Sequence, residues 1–136
     1  MRGECENKHL PQTKLEEKSE TIEIKRQLEI IREICEETSD LESAGIASLK
    51  AGYKILDIGN MGVPLLLNEF TNSANDWKYR WLVCELLSKI GDESIVEPMV
   101  NVLTNSNDIN EVRIAAAKTL GKLKTHAAVD VLLTLI

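Results

Sequence analysis

The stretch from Asp76 to Leu123 carries one pattern twice, and that repetition limits the folds open to this chain more than any other feature. The first copy reads Tyr79-Arg80, then Val83-Cys84, Leu87 and Ile90-Gly91-Asp92. The second reads Val112-Arg113, then Ala116-Ala117, Leu120-Gly121 and Leu123. Their arginines stand 33 residues apart. At that offset Thr71-Asn72-Ser73 falls on Thr104-Asn105-Ser106 and Val63 falls on Val96 and Val129. Leu66 falls on Met99 and Leu132, Asn68 on Asn101, and Phe70 on Leu103 and Ile136. Upstream the offset shortens to 32, which sets Ile58-Gly59-Asn60 against Ile90-Gly91-Asp92. Three units follow, at about 40–73, 74–106 and 107–136.

Helical periodicity fills these units. Thr38-Ser39-Asp40 breaks a preceding helix and offers Asp40 as an N-cap for a helix over 41–58. Leu41, Ala44, Ala47, Ala51, Ile55 and Ile58 mark its inner face. Gly45 and Gly52 weaken that helix and suit close packing. Gly59-Asn60 ends it. A third helix starts near Val63, with Pro64 in its first turn and Leu66, Leu67 and Phe70 inward. Further helices are expected over 76–90 with Asp76 as N-cap, 94–104, 108–123 and from 126 on. Residues 14–38 read as an N-terminal capping helix. Its stripe is Ile24, Leu28, Ile31 and Cys35, widened by Ile34, with Ile30 off it. Two heptads are too few to make it a coiled coil. Residues 1–13, with Gly3, Asn7 and Pro11, read as a flexible tail.

A helical hairpin cannot bury its apolar face alone; stacked hairpins can, and they form a solenoid. Ankyrin and tetratricopeptide signatures are absent from the 33-residue period. The pattern resembles the HEAT repeat, specifically the short HEAT-like repeat named from phycobilisome lyases, D-x-x-V-R-x-x-A-A-x-A-L-G-x-I-G-D. Residues 112–123 match its first-helix core closely. Residues 79–92 match with Tyr79 for Val, Val83-Cys84 for Ala-Ala and Ser88 for Gly, and 47–60 match weakly with Ser48 for Arg. The resemblance covers roughly 40–136. It implies an all-α, right-handed α-α superhelix: about three hairpins over 39–136 behind the N-terminal helix.

The resemblance also assigns roles. The arginine position ties neighbouring repeats through acidic partners and helix ends, which makes Arg80, Asp92, Asp108 and Arg113 structural. Second helices line the concave face, whose outward positions are Pro64, Glu97 and Asp130, then Asn68, Asn101 and Thr134. Trp77 and Trp81 share a different helix face from Tyr79, Val83, Leu86, Leu87 and Ile90. Either a partner docks on that outer patch, or the N-terminal helix folds back over it. A non-catalytic scaffold for protein partners follows. The alternative is an accessory or lyase-like module acting on a tetrapyrrole or other cofactor, although no residues locate such a site.

Composition narrows the classes further. Aromatic residues at 4% leave an aliphatic core. A formal charge of −6 disfavours nucleic acid and anionic membrane as partners. The three cysteines are scattered, with no CxxC, and the two histidines, His9 and His126, form no ligand cluster. No catalytic, metal or cofactor residues are therefore assigned. The charged N-terminus and the lack of a run of ~18 apolar residues point to a cytoplasmic chain. The last six residues, Val131-Leu132-Leu133-Thr134-Leu135-Ile136, are almost wholly apolar. Either the chain continues, or this end packs on a second copy as a homodimer.

Overall fold

The computed structural model describes residues 2–123 and Leu133, with side chains from Glu16 on. Seven α-helices are described: α1 Arg2–Glu37, α2 Leu41–Ala47, α3 Leu49–Ile58, α4 Val63–Thr71, α5 Trp77–Ile90, α6 Val96–Thr104 and α7 Asn110–Leu123. Short 3-10 turns, Gly59–Gly62 and Glu93–Ile95, lead into α4 and α6. There is no strand among the described residues. The helix expected from 126 onward lies outside them, apart from Leu133.

The helices form two layers of an all-α, HEAT-like stack. α2–α3, α5 and α7 make one layer; α1, α4 and α6 make the other. α4 packs on α5, α6 on α7, and α1 on α3 in the same way. So α1 stands where the second helix of a preceding unit would stand. Its stripe of Ile24, Leu28, Ile31 and Cys35 is buried, Ile34 is half-buried and Ile30 is exposed, as the periodicity requires. Each fully buried Leu or Ile contributes roughly 1.5–3 kcal/mol. α1 starts at Arg2, ahead of the helix start read at 14 and across the stretch read as a tail.

The turns repeat as closely as the helices. Thr71 and Thr104 each donate their hydroxyl to the carbonyl four residues back, both at 2.8 Å. Asn72 and Asn105 each accept at Oδ1 from the N–H two residues on, both at 3.0 Å. Gly91 ends α5 at φ 71°, a left-handed conformation that glycine adopts without penalty. Pro64 sits in the first turn of α4.

One helix expected over 41–58 is two. Ser48 breaks it, and its N–H contacts the carbonyls of Ala44 and Ile46. Ala47, expected on the inner face, is exposed, because Ala44, Ser48, Ala51 and Ile55 form the buried stripe at spacings of four, three and four. Asp40 caps α2 by accepting from the Ser43 N–H at 2.8 Å. Asp76 precedes α5 but makes no side-chain cap; its carboxylate lies 3.5 Å from the Lys78 ammonium.

Candidate partner-binding surfaces

Arg80 is the central joint of the stack. Its Nε donates to the Phe70 carbonyl at the end of α4, at 2.7 Å. Its two terminal nitrogens donate to both Asp108 oxygens, each at 2.8 Å. Asp108 lies in the turn before α7, so one guanidinium ties α5 to the end of α4 and to the turn between α6 and α7. The hydrogen bonds from Arg80 hold the Asp108 carboxyl below the usual aspartate range, against the opposing effect of burial. Arg113 repeats the first half of this arrangement, donating from Nε to the Leu103 carbonyl at 3.0 Å. Asp92 departs from the expected set. Its carboxylate accepts from the Ser94 N–H at 2.8 Å and caps the turn into α6, because it sits two residues ahead of that donor.

The equivalent joint between the first two units uses different chemistry. Ser48 occupies the arginine column, and Asn75 occupies the column of Asp108. A guanidinium reaches Asn75 from the other layer instead: Arg32 of α1 donates to Asn75 Oδ1 at 3.0 Å. Arg32 also pairs with Glu69, and its Cζ lies 4.7 Å from the Tyr79 ring centre. Tyr79 donates its hydroxyl to Glu69 at 2.7 Å. Burial, with the Glu69 hydrogen bond second, raises the Tyr79 pKa, so the phenol stays protonated. Arg32 was not among the residues singled out in the sequence. The signal was there in the columns: where Arg80 and Asp108 stand, the preceding unit has Ser48 and Asn75.

The second-helix layer holds the positions expected to form a polar ladder. Asn68, Glu97 and Asn101 are all exposed. Asn68 lines a cleft between α1 and α4 with Lys25, Leu28, Arg32 and Glu69. Asn101 lines a separate shallow groove with Ser73, Pro98, Asn105 and Asp108. Asp130 and Thr134 lie outside the described residues, as does the apolar end except Leu133, which is 65% exposed.

On the opposite layer Trp77 and Trp81 are half-buried. The residues around Trp81 belong to other helices than α1. Its Nε1 donates to Glu85 at 2.8 Å, the Lys118 ammonium lies 5.3 Å from its ring, and Leu41, Ile46 and Leu49 line a groove with it. The two described free cysteines are buried. Burial pushes the Cys35 thiol up to about 11 and the Cys84 thiol up to about 12. Cys84 Sγ sits 3.1 Å from Thr119 Oγ1, across the α5–α7 contact. No described helix is long and apolar enough to cross a membrane.

A family model described as HEAT repeats matches residues 63–136, more than half of the chain. No curated protein and no solved structure gives a significant match.

Proposed function

Because the chain belongs to the HEAT-repeat family, whose repeats generally mediate protein–protein interaction, we propose that it is a non-catalytic scaffold. Its partner is a protein that reads the second-helix layer. The supporting observation is the exposure of Asn68 and Asn101, at matching places on α4 and α6, and of Glu97 one turn before Asn101. Side chains repeated once per unit suit an extended or helical segment lying across the stack. Asp130 and Thr134 continue that ladder in the third unit. Trp77 and Trp81 form a second surface, since half-buried indoles carry much of the binding energy where interfaces contain them. A cytosolic setting belongs to the same proposal and is supported by the two buried thiols left unpaired.

The test is affinity capture from extract of the native cell. Immobilised wild type is compared with the triple variant Asn68→Ala, Glu97→Ala, Asn101→Ala. The variant should lose partner capture while its helical circular dichroism stays unchanged. Equal capture by both would remove the second-helix layer from the interaction.

A further inference from the structure

A narrow open groove with about 50 Å³ of accessible space runs along the opposite layer, between α2–α3 and α5. It exists because the wall contributed by α2–α3 is small: Gly45, Ser48 and Gly52 face Leu82 and Leu86. At Gly45 and Gly52 an added Cβ would meet Leu82 and Leu86 at 3.6 and 3.3 Å. Apolar side chains rim the opening without being covered. Leu49 is 50% exposed and Tyr53 is 59% exposed. Trp81 and Leu41 prolong the rim toward the start of α2.

The floor holds an unsatisfied polar atom. Ser48 is 5% exposed, and its buried hydroxyl has no hydrogen-bond partner among the described residues. Buried hydroxyls without partners are rare because each forfeits its hydration. Charge is also distributed along the groove. Glu42 and Glu85 line the end near Trp81, where the Lys118 ammonium also lies over the indole, and Lys89 lines the end near Tyr53.

The geometry points to this groove as the docking site of an amphipathic helix from a protein partner. The inference rests on the scaffold reading but assigns a surface distinct from the second-helix ladder. Both walls are helices whose backbone groups bond within themselves, so an extended peptide would bury N–H and C=O groups with nothing to pair them. A helix satisfies its own. Trp81 to Lys89 spans about 12 Å of helix axis and Leu41 to Leu56 about 22 Å, which matches two to four turns of an occupant. The carboxylates near Trp81 favour basic residues on the occupant, and Lys89 favours acidic ones. Ser48 calls for one polar side chain in the middle of the otherwise apolar face.

The test is selection of a displayed library of 16-residue helical peptides on the full chain. Counter-selection uses the Leu49→Glu, Tyr53→Glu variant, whose exposed substitutions leave the core intact. Enriched peptides should be amphipathic helices with basic residues toward one end, acidic residues toward the other and a central polar residue. Their affinity should fall at least about tenfold on the counter-selection variant. Ser48→Ala should remove the preference for the central polar residue. Binding should be unchanged on the Asn68, Glu97, Asn101 triple variant, which separates failure here from failure of the second-helix ladder. The proposal is overturned if nothing is enriched over the variant or if extended sequences are enriched. It is also overturned if light scattering shows wild type self-associating through this face and the variant not.

Discussion

Arg80 and Asp108 are 1% and 6% exposed at their side chains, yet both are charged. Burial alone would make such a pair costly, and the bidentate geometry with the Phe70 carbonyl as a third partner offsets that cost. Removing one partner leaves the other charge stranded. Asp108→Ala should therefore destabilise the fold by about 3–5 kcal/mol in urea unfolding. The carboxyl of Asp108 is held low in the folded state, so its stabilisation is present above the ordinary aspartate pKa of about 3.9. It is lost as pH falls from there through the folded value. The urea midpoint of wild type should drop over that interval, and Asp108→Asn should flatten part of the drop. Cys35 and Cys84 give an independent check of packing. With raised thiol pKa values and buried sulfurs, both should resist iodoacetamide at pH 8 in the folded protein and react once urea unfolds it. Peptide mapping reads this site by site. The arginine columns were legible because a 33-residue period aligns them. The partner of Arg80 was legible only as a choice of two aspartates. Proximity in sequence could not show that Asp92 is consumed by its own turn.

At the level of elements, helix positions followed from periodicity and from the Gly and Pro punctuation. The break at Ser48 did not. Leu41 to Ile58 keeps helical spacing throughout, and a serine flanked by Gly45 and Gly52 is a weak signal for a stop. α5 packs against this segment, with Leu82 and Leu86 opposite Gly45 and Gly52. Two glycines can be ranked on the same grounds. Gly59 has φ 79° and ψ −139°, a region essentially restricted to glycine, whereas Gly91 at φ 71° and ψ 28° lies in the left-handed helical region that other residues enter at moderate cost. Gly91→Ala should cost about 1–2 kcal/mol. Gly59→Ala should cost more, and thermal unfolding of the two variants side by side tests the order.

For the whole molecule, α1 does more than close the stack. It supplies the second-helix surface on which α3 packs, and Arg32 carries it across to α4 and α5. A chain lacking residues 1–38 should therefore lose protection of α2 and α3 amides in hydrogen exchange, while α5 to α7 keep theirs. In a solenoid each unit leans on its neighbours, so loss at one end need not propagate. The buried face of α1 was legible from the spacing of Ile24, Leu28, Ile31 and Cys35. The fact that it occupies a repeat position was not, since α1 lacks the motif residues of the later units and only packing reveals the equivalence.

The two joints of the stack have unequal compliance. Between the second and third units a rigid planar fork is locked on two oxygens and a carbonyl. Between the first and second, the corresponding column is neutral, and the clamp is a more exposed arginine, Arg32, reaching in from the other layer. Bending strain placed on the protein by a bound partner would concentrate at Ser48 and Asn75, with α5 to α7 moving as one lever arm.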